Sequence, residues 1–269
     1  MFLRTLSALL LTMPGGVALA AAGNPLTDRF SVSLGAFFIG TSTDVRIDGT
    51  GGRGTEFNVE RELGFDDTDR FRVEGYWRFW NRHKIRALWF DTDRNSTRTL
   101  DETLQVGNSV FPIQATVNAH FNTQIAELAY EFAFLRRDTF ELGASIGVHH
   151  LSFDLGITAS ASSTGTEVGT SQTTEADGPL PVVGLSGIWR ISDRFYLNGQ
   201  AQYFQISIDP YDGNIQDYNL SIVWSAMKHV AFGIGFNKFI MHVNVEADRY
   251  DGSLRWHYQG GRAFVTASF

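Results

Sequence analysis

Along several stretches of the chain, residues of one parity are apolar and residues of the other are polar. Phe71, Val73, Gly75, Trp77 and Phe79 alternate with Arg72, Glu74, Tyr76 and Arg78. Leu128, Tyr130, Phe132 and Phe134 alternate with Glu127, Ala129, Glu131 and Ala133. Phe195, Leu197, Gly199, Ala201 and Tyr203 alternate with Tyr196, Asn198, Gln200 and Gln202. A period of two with one apolar and one polar face predicts β-strands. Read along the whole chain, it predicts strands near 29–45, 69–80, 83–94, 115–135, 138–159, 179–192, 194–208, 214–226, 229–247 and 252–269.

The connections sort by length. Asn81-Arg82-His83-Lys84, Arg136-Arg137-Asp138, Ser192-Asp193-Arg194 and Met227-Lys228-His229 are tight and mostly basic. They interleave with more polar, often longer connections at 44–69, 91–114, 160–178, 209–213 and 248–252. Short turns at one end and longer loops at the other are how transmembrane β-barrels are built, whereas a soluble sandwich has no reason to sort its connections. The fold class expected is therefore all-β, a transmembrane antiparallel up-and-down barrel of about ten strands. Twelve or eight strands are the alternatives; a hairpin at Gly260-Gly261 with a further strand in 53–63 would give twelve.

Two places break the alternation. At His149-His150 the apolar parity switches from Leu142, Ala144, Ile146 and Val148 to Leu151, Phe153, Leu155 and Ile157. At Gly260-Gly261 it switches from Leu254, Trp256 and Tyr258 to Ala263, Val265, Ala267 and Phe269. A β-bulge at each place would keep both apolar sets on one face.

Composition narrows the class. The 269 residues are 43% apolar and 13% aromatic but only 19% charged, which excludes disorder and a coiled coil. A net charge of −7 argues against nucleic acid as a partner, since phosphate binding needs a basic field. The absence of Cys removes disulfides, thiolate metal sites and thiol nucleophiles. Residues 1–22 have the anatomy of a signal peptide: Arg4, an apolar run at Leu6–Leu11, a Pro-Gly-Gly break and an Ala18-Leu19-Ala20 cleavage site. The barrel domain is then 23–269.

The chain ends Arg262-Ala263-Phe264-Val265-Thr266-Ala267-Ser268-Phe269. A terminal Phe269 with Ala267 and Val265 at alternate positions resembles the C-terminal signature of Gram-negative outer-membrane β-barrel proteins. That resemblance implies the cell outer membrane as location and Phe269, Ala267 and Val265 as an assembly signal read by the barrel-assembly machinery. The segment Phe57–Trp80 also resembles segments of small exported barrels, and implies no activity.

Candidate chemistry is sparse. Gly49-Thr50-Gly51-Gly52-Arg53-Gly54 matches the dinucleotide fingerprint, but no helical period follows it, so a loop tip is the better reading. His150, Ser152 and Asp154 lie along one strand face, too spread out for a nucleophilic triad without a partner from another strand. Acidic residues gather where loops begin and end (Asp66, Asp67, Asp69; Asp91, Asp93; Asp209, Asp212; Asp248, Asp251), without the ordered spacing of a calcium loop. Ser160–Thr174, rich in Ser, Thr and Gly, reads as a mobile exposed loop.

The polar parity of a barrel points inward. It carries Arg72, Glu74, Arg78, Arg86, Glu127, Glu131, Glu141 and Arg190. In a lumen this narrow such charges need partners. The expectation is an interior network in which Arg72 and Arg78 face Glu74, Glu127 or Glu131 and close the lumen; changing Glu127 and Glu131 together should then raise its conductance. The outward row of Phe71, Trp77, Phe79, Phe132, Phe134, Trp189, Phe195, Trp224 and Phe232 suits an interfacial girdle.

The function expected is a non-enzymatic, porin-like barrel with an envelope structural, surface-interaction or limited solute-passage role. The alternative is an outer-membrane hydrolase or lipid-modifying enzyme with its site at the extracellular rim. No cofactor and no metal centre is expected. The partners expected are outer-membrane lipid, lipopolysaccharide and the assembly machinery, with the protein itself a monomer.

Overall fold

A computed structural model describes residues 23–49, 54–163, 166–208, 211–247 and 250–269. The signal segment, most of the Gly49–Gly54 motif, Asp209 and Asp248 lie outside the described residues.

Ten long strands form a closed antiparallel barrel. In chain order the elements are β1 (Phe30–Ile47), β2 (Phe57–Asn58), α1 (Val59–Leu63), β3 (Thr68–Trp80), β4 (His83–Thr99), β5 (Leu104–Val106), β6 (Ser109–Phe111), β7 (Thr116–Arg136), β8 (Phe140–Ser163), β9 (Thr166–Arg190), β10 (Phe195–Ile208), β11 (Tyr211–Ser225), β12 (Val230–Ala247) and β13 (Tyr250–Ser268). The barrel closes where β1 pairs with β13, from Ser31↔Ser268 to Ile47↔Gly252. Phe269 finishes the seam, because the Arg29 and Phe30 amides donate to its carbonyl and its own amide donates to Phe30. The short piece β2 pairs with β1 but does not span, so the described residues 54–63 add no wall strand.

The wall strands are 13 to 25 residues long, well beyond the roughly 9–11 that cross a bilayer. The excess lies at the end away from the short turns, the extracellular end by the usual orientation of such barrels. It changes what each face of a strand meets. Near the short turns the outer face is apolar, with Trp77, Phe132, Trp189, Phe195, Trp224 and Phe232 exposed, and the inner face is polar. Further along, the inner face becomes apolar: Phe37, Phe90, Phe121, Phe153, Phe239, Trp256 and Tyr258 pack into one core.

This inversion replaces both expected bulges. β8 pairs with β7 without a break from Ala144 to Ser160, so His149, Leu151, Phe153, Leu155 and Ile157 all point inward. β13 likewise runs unbulged through Gly260-Gly261, with Trp256, Tyr258, Arg262 and Phe264 inside and Val265 and Phe269 outside. The register shifts that occur lie close to short turns, between Arg78 and Trp80 and between Phe132 and Leu135. Residues 160–163 and 166–178 are also strand and not loop, since β8 and β9 pair as far as Ser163↔Thr166, while 164 and 165 lie outside the described residues. A backbone ladder needs no apolar residues, and Thr suits a strand.

Two insertions fill the extracellular half. Helix α1 is capped by the Asn58 side chain, which accepts from the Arg61 amide at 2.9 Å, and ends at Gly64 with φ 74°, a conformation glycine adopts without strain. Its Val59 and Leu63 are fully buried. Glu60 ties it to the wall by accepting from the Thr43 amide (2.6 Å) and hydroxyl (2.9 Å) and pairing with Arg94 (2.8 Å). The β5–β6 hairpin adds buried Leu104, Val106 and Phe111.

Candidate functional site

Beneath that core the lumen holds two branches of charge. The first begins at Glu141, whose carboxylate takes Arg78 (2.7 Å), Lys84 (2.6 Å) and Arg136 (3.3 Å). Lys84 also reaches Glu131 at 2.6 Å, and Arg86 bridges Glu131 (3.3 Å) and Glu127 (3.1 Å). Gln202 donates to Glu127 at 2.7 Å, and its carbonyl oxygen lies 3.0 Å from His149 Nε2. The second branch joins Arg262 and Arg72 through Glu74, at 2.6 and 3.1 Å. Arg72 donates on to Asn237 (3.0 Å), and Asn237 to Asp217 (2.6 Å). Arg72 also lies over the Phe37 and Phe90 rings, 5.6 and 5.8 Å from their centroids, where the charged layer meets the aromatic one.

Arg72, Glu74, Arg78, Arg86, Glu127 and Glu131 therefore all sit on the inner wall, in contact with other charged or polar side chains. Arg78 pairs with Glu141, 63 positions away, an inward carboxylate other than the three named as examples for it. Lys84, assigned to a turn from sequence, is a buried lumen residue. Arg262, His149, Gln202, Asp217 and Asn237 complete the set. All five have inward parity on their strands, and Gln202 stands in the polar row already read from the alternation of β10.

The periplasmic mouth is occupied by residues 23–28. The Gly23 amide donates to Met227, the Tyr196 hydroxyl to Gly23 and the Tyr76 hydroxyl to Pro25, each at 3.2 Å, and Arg136 donates to the Leu26 carbonyl. Burial raises the Asp28 carboxyl above its ordinary value, against hydrogen bonding by Ser268 and Asn24 that lowers it. A cavity of about 160 Å³ remains between this segment and the network, with Asp28, Glu74, Lys84 and Glu127 in its lining. That is room for roughly five waters.

The other candidates lie elsewhere. His150, Ser152 and Asp154 are on the outer wall above the apolar belt; Asp154 meets His120 at 3.3 Å. Asp93 is exposed on the outer face of β4. Val265 and Phe269 face outward, and the Phe269 ring stacks on His229 at 4.9 Å. Phe264 faces inward beneath Arg262, and Gly233 leaves the space its ring occupies.

No protein-family model matches the chain, and no curated protein is significantly similar to it in sequence. Among solved structures it is similar to the outer membrane protease OmpT of Escherichia coli, with a TM-score of 0.57 and 12% identity over 90% of this chain and 97% of that one. Looser matches are the Pseudomonas putida toluene transporter TodX (TM-score 0.37, 8% identity, 93% of each chain) and the Yersinia pestis attachment invasion locus protein Ail (0.30, 10%, 87% and 98%). At these identities the likeness speaks for the fold alone, and only the first match is close enough to carry even that. Together with the exposed apolar belt it gives one conclusion: this chain has the fold of an outer-membrane β-barrel, with the belt where such a barrel meets the membrane.

Proposed function

We propose that the protein is a closed, non-enzymatic outer-membrane barrel that carries a polar extracellular extension for envelope structure or surface interaction. The observation behind this reading is the double closure of the lumen. The ion-pair network is spent on its own members, and the apolar core with α1 and the β5–β6 hairpin fills the space above it. OmpT is a protease, but a shared barrel does not carry its activity to this chain, and the half-buried His120–Asp154 pair faces away from the lumen.

The test is single-channel recording of the purified protein in a planar bilayer. No steady conductance is expected. Glu127→Ala with Glu131→Ala should leave the baseline unchanged, in place of the rise expected from the sequence, because the apolar core above the charges closes the path independently. Large, steady, porin-like currents from the unaltered protein would overturn the reading.

The terminal residue supplies a second test. We propose Phe269, Val265 and Ala267 as the assembly signal, because they form the outward row beside the closing seam. Deleting Phe269 should reduce insertion several-fold, measured as the fraction of chain that shifts in a gel on boiling. Phe264→Ala, which empties an inward pocket, should insert nearly normally and lose stability instead. Equal insertion of the deletion and the unaltered chain would refute the assignment.

A further inference from the structure

The two branches of the lumen network end on the same spot. Glu127 on β7 and His149 on β8 are direct cross-strand partners, as are Gln202 on β10 and Asp217 on β11. One donor atom from each of Glu127, His149 and Asp217 lies within 4.8 Å of the others, and all three side chains are buried. His149 Nε2 is 3.7 Å from Glu127 Oε2. Donors bound tetrahedrally to one zinc-sized ion sit roughly 3.4 Å apart, given metal–ligand bonds near 2.1 Å, so small side-chain rotations complete the geometry.

The hydrogen bonding leaves the carboxylate oxygens available, and His149 Nε2, which donates to the Gln202 carbonyl oxygen at 3.0 Å, becomes a ligand once its proton moves to Nδ1. Arg86 and Gln202 both use Glu127 Oε1, which turns Oε2 toward the imidazole. Asn237 holds Asp217 by Oδ1. Among the described residues Asp217 has no ion-pair partner within 4.0 Å, and the buried His149 Nδ1 has no hydrogen-bond partner. The cations nearest these two buried carboxylates are Arg86, shared with Glu131, and Arg72, which pairs with Glu74 and reaches Asp217 only through Asn237, so positive charge is short here, and an uncompensated buried charge is costly.

We propose that Glu127, His149 and Asp217 form a binding site for a divalent transition-metal ion of the zinc class, with Gln202 Oε1 as a fourth donor. One imidazole with oxygen donors and no thiolate suits zinc, manganese or cobalt better than calcium or magnesium, which take oxygen alone. Arg86 and Asn237 orient the carboxylates from behind, as outer partners of metal ligands do. Glu127 also lines the cavity above residues 23–28, so the ligand set borders that space at one residue. A bound ion would staple β7, β8, β10 and β11 across the lumen, and it departs from the sequence expectation of no metal centre. A protonated His149 would also supply positive charge without any metal, one unit against the ion's two, so the test must tell the two apart.

The test uses the folded barrel in detergent micelles, stripped with chelator, its fold checked by the gel shift on boiling. Zn²⁺ is titrated by calorimetry, and Co²⁺ by its visible absorption. One saturable ion per chain is expected, with Zn²⁺ raising the unfolding midpoint. His149→Ala and Asp217→Asn should each weaken binding by about 100-fold or more, since loss even of an outer partner costs 10–100-fold. They should also abolish the midpoint shift. If His149→Ala fails to fold, Asp217→Asn, which keeps side-chain volume, decides alone. His120→Ala, on the outer wall, should bind like the unaltered protein. No saturable site in the folded protein, a site that survives the lumen substitutions, or one lost with His120 would each overturn the proposal. A protonated His149 alone gives the first of these results.

Discussion

Glu141→Ala should lower the stability of the barrel by about 3–5 kcal/mol, the usual cost of removing one member of a buried ion pair. Three cations converge on this carboxylate: Arg78 through two hydrogen bonds (2.7 and 3.1 Å), Lys84 and Arg136. Its removal leaves Arg78 without a carboxylate, held only by the backbone carbonyls of Pro25, Asp28 and Asn81, whereas Lys84 keeps Glu131. Arg78→Ala should therefore cost less in the Glu141→Ala background than alone, because neighbours in one network are not additive. The measurement is the urea midpoint of the protein in phospholipid vesicles, read by tryptophan fluorescence. Asp101→Ala, which breaks the exposed pair with Arg98, is the control and should cost no more than about 1 kcal/mol. A Glu141→Ala effect as small as the control would mean that the lumen is wet enough to solvate the stranded charges.

Which parts of this arrangement could be read from the sequence follows from what a period of two can encode. It encodes the face of each residue, and the sorted turns encode the order of the strands; ten strands, their direction and the inward set from Arg72 to Glu131 come from these two signals. It does not encode partners across the lumen. Arg78 and Glu141 lie on β3 and β8, which are not neighbours in the sheet, so their meeting depends on the stagger and radius of the closed barrel. The same limit hid the convergence of Glu127, His149 and Asp217 from three strands.

The false bulges have a different cause. Parity arguments assume that the environment of each face is constant along a strand. In β8 it is not. Leu142, Ile146 and Val148 face lipid; nine residues after Leu142, Leu151 faces a closed aromatic core. The apolar set moves from the outer to the inner face because the solvent outside changes from lipid to water. Strand length carried the missing information, since 24 residues in β8 far exceed a bilayer crossing.

Opposite substitutions along the wall test that inversion directly. Ile234 on β12 is exposed between Phe232 and Phe236 in the apolar belt. Ile234→Arg should cost about 2–4 kcal/mol in vesicles, the range for a cation on the lipid face near the midplane. Asn244→Arg, on the outer face of the same strand but above the belt, should change stability by no more than about 0.5 kcal/mol, as surface substitutions do. On the inner face the order reverses. The Phe153 ring lies 6.2 Å from Phe121 and 5.0 Å from Trp256 inside the barrel, so Phe153→Ala should cost about 3–5 kcal/mol, as for a core aromatic. A bulge at His149-His150 would instead put Phe153 on the outer wall, where lipid or water fills the space left by the ring and the same change costs little. A Phe153→Ala penalty below about 1 kcal/mol, compared with the several expected for a buried aromatic, would therefore restore the bulge and reject the continuous register of β8.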